Sequence, residues 1–267
     1  MVSDGRMGEP SSIRQASLLG GAASGIGCAS PLRYLRLQSL AKWLASTPLH
    51  PQWLVPRQHV PAGLATASGV LLDVGSADRW ITKHLPRGVQ YVALDYPATG
   101  RDLYGACPDV FADGAALPFA DGVVDIVTCF EVLEHVRSPD AVLREIARVL
   151  RPGGAAYLSM PFAYPVHDAP HDYQRWSQHG WRRSALDAGL DCISVEPTTS
   201  GIEAAGALAC LALAAPFQYA PAWRQAIVTP VLALVVPCIN ASAWLVGRLW
   251  PLWPALSIGL RVELRKP

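Results

Sequence analysis

The sequence predicts an α/β fold in which a mostly parallel β-sheet is covered by helices on both faces. From Gly69 onward, short apolar runs typical of buried strands alternate with segments of helical periodicity, and this alternation is characteristic of parallel sheets. The 267 residues are enough for one such domain with an appendage. Charged residues make up 16% of the chain, against roughly 25% in an average soluble domain, so some segment is expected not to face water.

The elements before the sheet are less regular. Residues 1–30 are rich in glycine, serine and alanine and are expected to be disordered. Apolar residues at helical spacing, with basic residues between them, predict an amphipathic helix over Pro31–Ser46, and a proline-rich linker follows it. The remaining elements are predicted in order, with strands at Val70–Asp73, Gln90–Asp95, Val123–Thr128, Ala155–Met160, Leu190–Glu196 and Leu256–Arg265, and helices at Ala77–Leu85 and Pro139–Leu150.

Composition argues against several classes of function. The net charge is +1 without a long basic run, so no nucleic-acid partner is expected. The six cysteines are scattered and form no cluster with histidines at zinc spacing, so no metal site is expected. Gly21–Gly27 resembles the cofactor turn of short-chain dehydrogenases, but no β-branched strand precedes it, and no tyrosine is followed four residues later by a lysine. A dehydrogenase is therefore disfavoured.

A cofactor site is predicted where the first strand of the sheet runs into a tight turn. Leu71–Ala77 passes from strand to turn to helix with Gly75 at the turn, and ligands of such sheets bind beyond the carboxyl ends of the strands. Asp95 ends the next strand, where an acid can accept hydrogen bonds from two ribose hydroxyls. These two features leave NAD and S-adenosylmethionine both open.

Three later motifs distinguish between these cofactors. They are DGAALPFADGVVD at Asp113–Asp125, CFEVLEH at Cys129–His135 and LRPGG at Leu150–Gly154. In this order they resemble the class I S-adenosylmethionine-dependent methyltransferases of the type 11 group, and the resemblance runs from about Leu71 to Leu190. It implies a Rossmann-like sheet of seven strands, a last strand that is antiparallel beside the fifth, and S-adenosylmethionine as the cofactor.

The resemblance also implies which residues hold the methyl donor. The family's D-x-G-x-G-x-G turn keeps only Gly75 here, with Ala77 and Arg79 at the later glycine positions, so a tighter turn or weaker donor binding is expected. The implied residues are Asp73, Gly75 and Ser76 at the methionine end, Asp95 and Tyr96 at the ribose and adenine, Asp113, Gly114 and Ala115 at the adenine amino group and ring, and Phe130 and Glu131 near the sulfonium.

The acceptor site is expected in Pro165–Trp176, which follows the strand ending at Met160 and is rich in ionisable and aromatic residues. Such residues are costly to bury unpaired, and methyl transfer to a hydroxyl needs a base. An alternative is that this segment is a hydrogen-bonded loop that only orders a lid. The predicted roles are proton removal by His171, or else by His167 or His135, orientation of that base by Asp172, and acceptor binding by Tyr173, Arg175 and Trp176.

Residues 201–255 form an apolar insertion before the last strand, and the methyltransferase domain is assigned to residues 31–200 and 256–267. No charged residue occurs between Ala204 and Trp223 or between Gln225 and Gly247, and the second stretch is long enough to cross a bilayer. The chain must return to the same sheet, so an odd number of crossings is excluded. The insertion is therefore expected to be a membrane hairpin, a pair of helices in one leaflet, or a helical subdomain packed on the domain.

The sequence thus predicts a methyltransferase that acts on an oxygen of a lipid-linked or cell-envelope glycan or another small acceptor. Its catalytic domain is expected in the cytoplasm at the inner face of the membrane, with membrane contact through residues 204–250. Two alternatives stay open: a methyltransferase of a small hydrophobic acceptor such as a quinone, and a non-catalytic, membrane-docked binding protein. The oligomeric state is not predicted.

Overall fold

A computed structural model of the chain describes residues 44–56, 58–97 and 107–267. The predicted disorder of residues 1–30 and the glycine-rich turn within them lie outside the described residues, as does most of the predicted helix over Pro31–Ser46. Ala45–Pro267 form one compact unit, and the following description concerns that unit.

The core of this unit is a seven-stranded sheet. Its strands are β1 Val70–Val74, β2 Gln90–Asp95, β3 Val110–Phe111, β4 Val124–Phe130, β5 Leu150–Pro161, β6 Asp191–Pro197 and β7 Gly259–Arg265. Their order is β3-β2-β1-β4-β5-β7-β6. The pairs among β1–β5 are parallel, and β7 is antiparallel to both β5 and β6. The predicted Rossmann-like, mostly parallel sheet is confirmed, including the antiparallel last strand beside the fifth.

Among the described residues, four α-helices accompany the sheet: α1 Pro139–Val149, α2 Gln178–Asp187, α3 Gly201–Ala214 and α4 Ala222–Leu249. α1 begins with Pro139. Proline has no backbone N–H, and an N–H in the first turn of a helix has no partner within that helix, so proline is favoured at this position. Ser177 caps α2 by accepting from the Gly180 N–H. A reciprocal capping box between Ser200 and Glu203 starts α3.

Side chains along the strands alternate between two apolar layers. Leu72 and Val127 belong to the larger layer, which α1 and α2 cover, whereas Leu71 and Ile126 belong to the layer on the opposite face. In the described part of the chain, two short 3-10 helices, Ala62–Thr66 and Trp80–His84, cover that opposite face. Both faces of the central strands are therefore shielded from water, and their carboxyl ends form one common edge.

The helix predicted over Ala77–Leu85 is wrong in extent, since only the 3-10 helix Trp80–His84 forms there. Ala77 and Arg79 have φ angles of 42° and 55°, a left-handed conformation that interrupts a right-handed helix. The helix predicted to end at Leu150 ends at Val149, and the LRPGG motif lies within β5, beside a register shift between Val124 and Ile126 of β4.

The apolar insertion consists of α3 and α4, joined by a 3-10 helix at Ala215–Phe217. One side of α3 packs on the domain, where Ala204 and Ala207 are fully buried and contact the cluster of Leu54 and Ile258. Asn240 of α4 is also fully buried. Its amide nitrogen donates to the carbonyl of Pro48 at 2.6 Å and to that of His50 at 3.0 Å, which fixes α4 to the domain.

Most of the surface of α4 is exposed although the helix is apolar. The helix has 28 residues and is long and hydrophobic enough to cross a membrane, yet only 17% of its most apolar stretch is buried. The positions that contact the rest of the protein recur every three or four residues. They include Gln225, Val228, Leu232, Val236, Asn240, Ala243 and Gly247.

Candidate functional site

A cavity of about 1370 Å³ opens at the carboxyl ends of β1, β2 and β4, the edge where ligands of such sheets bind. Eight of the ten predicted donor residues line it: Gly75, Asp95, Tyr96, Asp113, Gly114, Ala115, Phe130 and Glu131. The same cavity is lined by His135, His167, Asp168, His171 and Tyr173 from the predicted acceptor region. The structure thus brings the two predicted sites into one cavity.

The turn after β1 is held tightly against β2. The N–H groups of Gly75 and Ser76 both donate to the carbonyl of Leu94, at 2.9 and 3.1 Å. Gly75 has a φ of +77°, and a Cβ added there would lie 2.3 Å from Cγ2 of Val132. Glycine is therefore required at this position both by the backbone conformation and by the contact with the loop after β4.

The two left-handed residues that replace the family's later glycines have compensating hydrogen bonds. The Ala77 N–H donates to Oδ2 of Asp95 at 2.9 Å. The Arg79 guanidinium donates to the carbonyl of Cys107 and to Oδ1 of Asp109, with both Nη2 contacts under 3 Å. These contacts hold the turn in the conformation that glycines adopt without strain.

Asp95 is placed to hold two vicinal hydroxyls. Oδ2 accepts from the Ala77 N–H, and Oδ1 accepts from the Tyr96 N–H at 2.8 Å. A carboxylate has about four acceptor positions, so each oxygen keeps capacity for a further donor. Tyr96 is 48% exposed and lies beside it on the cavity wall. The chemistry of these groups fits the ribose and base of a nucleoside.

The far end of this wall is formed by the turn after β3. Oδ1 of Asp113 accepts from the Ala115 N–H at 2.8 Å, which fixes the turn. A Cβ on Gly114 would lie 3.3 Å from Val74, so the turn packs closely on β1. We call Gly75, Asp95, Tyr96 and Asp113 the donor wall.

Asp73 and Ser76, both predicted to line the donor site, lie behind this wall and not in it. Asp73 is 4% exposed and accepts from the hydroxyls of Tyr91 at 2.6 Å and Thr128 at 2.7 Å. Burial raises the pKa of Asp73, although both hydrogen bonds oppose that shift. Its observed contacts tie β1 to its two neighbouring strands.

The opposite side of the cavity begins at Glu131, whose φ is +54°. Its N–H donates to the carbonyl of Ser159 at 3.1 Å, and its Oε1 accepts from the Ser159 hydroxyl at 2.6 Å. The side chain borders the cavity, yet enough protein surrounds its carboxyl group that desolvation raises the pKa of Glu131. The carboxyl group is thereby fixed against β5.

Glu134 has the least favourable environment among the acids of the site. The residue is fully buried, and neither carboxylate oxygen has a hydrogen-bond partner in the described part of the chain. Desolvation, followed by the nearby charge of Glu131, raises the pKa of Glu134 to about 9. Oε1 lies 3.6 Å from Nε2 of His135 and 3.9 Å from Nε2 of His167. We call Glu131, Glu134, His135, His167 and His171 the acceptor wall.

The structure corrects the roles predicted for Asp172, Arg175 and Trp176, none of which lines the cavity. Arg175 binds both carboxylate oxygens of Asp172. Asp172 also accepts from the His167 N–H at 3.0 Å, so it orients His167 and not His171. Trp176 packs edge-on against the buried Trp181 with ring centroids 5.0 Å apart. Part of Pro165–Trp176 is therefore a hydrogen-bonded loop, as in the alternative interpretation of this segment. Of the three residues predicted to bind the acceptor, only Tyr173 lines the cavity.

Comparisons with known proteins agree with this geometry. Residues 72–158 match the family model of a methyltransferase domain. An uncharacterized methyltransferase of Mycolicibacterium gilvum is 32% identical over 181 residues, which cover 60% of this chain and 69% of that protein. The chain belongs to the class I S-adenosylmethionine-dependent methyltransferases.

Two further relatives show how far this likeness extends. The ubiquinone biosynthesis O-methyltransferase of Xanthomonas oryzae pv. oryzae is 35% identical over 122 residues, covering 42% of this methyltransferase and about half, 51%, of that enzyme. A crystal structure of the cyclase SpnF superposes with a TM-score of 0.50 at 20% identity and covers 77% of this chain and 78% of that one. The likeness to SpnF concerns the fold alone. Because SpnF is a cyclase, the fold does not by itself determine the reaction.

Sequence reasoning missed two groups of the methyltransferase site. Glu134 stands in the LEH motif that carried the resemblance, but nothing in the sequence distinguishes a buried glutamate there from an exposed one. Ser159 is one of many polar residues at a strand end, and its bond to Glu131 depends on the pairing of β4 with β5. The only available signal for Glu134 was its place beside His135.

Proposed function

We propose that this methyltransferase transfers a methyl group to an oxygen of a lipid-linked or cell-envelope glycan, or of another small acceptor, at the inner face of a membrane. The observation that supports the acceptor class is the exposed apolar surface of α4, which is linked to the rim of the cavity. Trp53 packs against Trp244 of α4 with ring centroids 6.4 Å apart, and Val55 two residues later lines the cavity.

In this proposal the donor wall positions S-adenosylmethionine, which supplies an electrophilic methyl group on a sulfonium. Asp95 accepts from the two ribose hydroxyls, and charge-assisted hydrogen bonds of this kind are the stronger ones. Tyr96 and Asp113 contact the base, while Phe130, held 5.7 Å from Trp80 between ring centroids, closes the wall near the methyl group. The chain thus contributes alignment and exclusion of water, which are the main requirements of a displacement.

We assign His171 as the base that removes the proton of the acceptor hydroxyl. Its Nδ1 lies 3.1 Å from the hydroxyl of Tyr173, and in the tautomer in which Nδ1–H donates to that oxygen, Nε2 keeps a lone pair for the acceptor proton. The acceptor O–H bond breaks as Nε2 takes the proton. The oxygen then forms its bond to the methyl carbon, and the electron pair of the breaking S–C bond goes to sulfur.

The surface of α4 fits contact with lipid. Trp223 and Trp250, at opposite ends of the helix, are 61% and 66% exposed, and Leu234 between them is 72% exposed. Tryptophans favour the membrane–water interface and leucines favour the hydrocarbon. Because α4 contacts the rest of the described chain along one narrow stripe, its remaining apolar surface is free to meet another partner.

Among the arrangements predicted for the insertion, helices lying in one leaflet agree best with the packing. The 14 residues of α3 span about 21 Å, which is less than the roughly 30 Å of a bilayer core. Ala204, Ala207 and Cys210 of α3 are fully buried against protein. A two-span hairpin is therefore disfavoured, and a single crossing by α4 would separate β7 from its sheet.

A quinone-like acceptor is the second candidate. It is favoured by the identity with the Xanthomonas ubiquinone biosynthesis O-methyltransferase. Both candidates share a hydroxyl acceptor with an apolar body. They differ in whether the hydroxyl belongs to a glycan or an aromatic ring, and methyl transfer from radiolabelled donor to membrane glycolipid extracts or to short-chain quinols separates them.

The first test of the proposal is calorimetric titration with S-adenosylmethionine and S-adenosylhomocysteine, with NAD as a comparison. Micromolar binding of the first two is expected. Asp95→Ala is expected to weaken it on the order of 100-fold, because two charge-assisted hydrogen bonds are lost. Asp187→Ala, on the exposed surface of α2, is the control. Folded protein that binds neither compound would favour the non-catalytic alternative.

The membrane part of the proposal is tested by sedimentation with phosphatidylethanolamine–phosphatidylglycerol vesicles. Leu234→Lys is expected to weaken binding about 10- to 100-fold, since lysine is costly within a bilayer. The matched control is Leu186→Lys on α2, because Leu186 is 74% exposed and Leu234 is 72% exposed. Equal binding of the two variants, or no sedimentation of the unsubstituted protein, would contradict membrane contact through α4.

A further inference from the structure

We propose that Glu134, His135 and His167 bind a divalent transition-metal ion at the acceptor wall of the cavity. One atom from each side chain, a carboxylate oxygen or an imidazole nitrogen, lies within 4.8 Å of the other two. The composition of the sequence predicted no metal site, because the three residues come from two separate segments of the chain. They meet only when the loop after β4 packs against the loop after β5.

The first support is the state of Glu134. Burial of a carboxylate without hydrogen bonds is unfavourable unless the group pairs with a cation or coordinates a metal. Glu134 is fully buried and both of its oxygens lack a hydrogen-bond partner. Arg175, the nearby cation in the loop, is already engaged with both oxygens of Asp172. In the described part of the chain, no other group donates a hydrogen bond to this carboxyl group.

The second support is the orientation of the two imidazoles. Nδ1 of His135 lies 2.8 Å from the carbonyl of His171, and Nδ1 of His167 lies 3.3 Å from Oδ2 of Asp172. Each ring thus has a hydrogen-bond acceptor at Nδ1, so Nε2 carries the lone pair in the corresponding tautomer. Metal-binding histidines are oriented in this way by a carbonyl or carboxylate behind the ring.

The distances fit a small ion. Nε2 of His135 and Nε2 of His167 lie 3.6 and 3.9 Å from Oε1 of Glu134. Bonds of about 2.0 to 2.2 Å in a tetrahedral zinc site separate neighbouring ligand atoms by roughly 3.4 Å. Shifts of a few tenths of an ångström bring both of these distances to that value, and the three ligand atoms all lie within 4.8 Å of one another. These nitrogen–oxygen distances are too long for direct hydrogen bonds, so a hydrogen-bonded triad does not explain them.

The donor set of two imidazoles and one carboxylate indicates which metal ions the site prefers. This donor set is typical of catalytic Zn²⁺ sites and is also suited to Mn²⁺ or Fe²⁺, whereas Mg²⁺ and Ca²⁺ prefer oxygen ligands. His135 and His167 line the cavity, and Oδ2 of Asp168 lies 3.9 Å from Nε2 of His135. An ion held by the three proposed ligands therefore has its remaining positions toward the cavity and Asp168.

The role of the ion rests on the proposed function. An acceptor hydroxyl bound at the open position becomes more acidic and is oriented toward the methyl donor. Its proton goes to His171, and its oxygen then forms the bond to the methyl carbon as the S–C bond breaks toward sulfur. Acceptors with two neighbouring oxygens are favoured by such a site, since they can occupy two positions on the ion.

Metal binding is tested without any acceptor. Untagged protein stripped with chelator is titrated calorimetrically with Zn²⁺ and with Mn²⁺, and Co²⁺ is added separately to record its visible absorption spectrum. One ion per chain is expected, with an intense Co²⁺ spectrum typical of low coordination number. Glu134→Gln and His167→Ala are each expected to weaken binding by more than about 100-fold, because losing a ligand costs more than losing a group behind it. The control is His179→Ala, at an exposed position of α2.

Binding of S-adenosylhomocysteine is measured on the same samples, which separates the two proposals. If the donor product binds but no metal binds at one ion per chain, the metal site is refuted and the proposed function is unaffected. The metal proposal is also refuted if Glu134→Gln, with an unchanged circular dichroism spectrum, binds as tightly as the unsubstituted protein. Loss of binding in His179→Ala alone would assign the ion to the surface and would refute this site as well.

Discussion

The donor wall and the acceptor wall face the same cavity but satisfy their polar groups in different ways. On the donor side, Asp95 accepts two backbone N–H groups, and Asp73 behind it accepts two hydroxyls. On the acceptor side, Glu134 is equally buried and accepts none. Asp95 and Asp73 are therefore paired within the protein, whereas Glu134, which is of similar burial, has no hydrogen-bond partner among the described residues.

This difference indicates which parts of the site are complete without a ligand. A buried polar group that the chain pairs itself stabilises the fold, whereas an unpaired one is destabilising and persists where a ligand or function requires it. The donor wall is thus preorganised for binding, with further capacity left on Asp95. In the acceptor wall, Glu134 has no such partner among the described residues, and variants on the two sides should separate into effects on donor affinity and effects on the later steps.

The largest expected effect is that of His171→Ala on turnover. With the base removed, kcat should fall about 10²- to 10⁴-fold, the usual contribution of general-base catalysis. The affinity for S-adenosylmethionine should stay within about threefold of that of the unsubstituted protein, since His171 belongs to the acceptor wall and not to the donor wall. Single-turnover methyl transfer and calorimetry measure the two quantities. An unchanged rate of transfer would remove His171 from the reaction.

Gly75→Ala should produce the largest change on the donor side. A Cβ there would lie 2.3 Å from Val132 at a φ of +77°, so we expect a loss of about 2 to 5 kcal/mol in the free energy of unfolding and at least tenfold weaker donor binding. Gly88→Ala is the control, because Gly88 has a φ of +93° with nothing within 4 Å of the added Cβ. It should lose only about 1 to 2 kcal/mol and keep donor affinity. Equal losses in the two variants would show that contact with Val132 is unimportant.

The elements of the donor side differ in how well they could be predicted from the sequence. The strand Gln90–Asp95 was predicted with its observed bounds, because an apolar run ending in an acid has few other interpretations. The turn containing Gly75 was located for the same reason. The short β3 at Val110–Phe111 was not predicted, since two residues carry no periodicity. The left-handed Ala77 and Arg79 were also missed, because only glycine signals that conformation in a sequence.

The acceptor wall was less predictable because its contacts are not local. Pro165–Trp176 was identified from its ionisable residues, yet which of them would face the cavity depended on partners chosen in the fold. Asp172 is paired with Arg175, and this removes both from the cavity. Glu134 required a structure, since its lack of a partner is a property of the space around it.

The comparison of the walls can be tested directly with one chemical change at two sites. Asp73→Asn and Glu134→Gln each replace a buried carboxyl group by an amide of the same shape. Asp73→Asn should lower the free energy of unfolding by about 1 to 3 kcal/mol, because the amide cannot accept from both Tyr91 and Thr128 through its former oxygens. Glu134→Gln has no hydrogen bond to lose, so metal-free protein should be as stable as before or more stable. Urea unfolding in the presence of chelator measures both, and a larger loss at Glu134 would contradict the proposed difference between the walls.

The smallest expected effect concerns the strain in the donor turn. Ala77→Gly restores the family's glycine at a φ of 42°, which removes about 1 to 2 kcal/mol of left-handed strain and adds about 0.5 to 1 kcal/mol of backbone entropy cost. The net result should be a gain of between about 0 and 1.5 kcal/mol. Ala188→Gly, at the end of α2 with a φ of −88°, should show only the loss. Ala77 N–H keeps its bond to Asp95 in the variant, so donor affinity should change little. If Ala77→Gly loses as much stability as Ala188→Gly, this turn stores no strain, and the substitution of the family's glycines has no energetic cost.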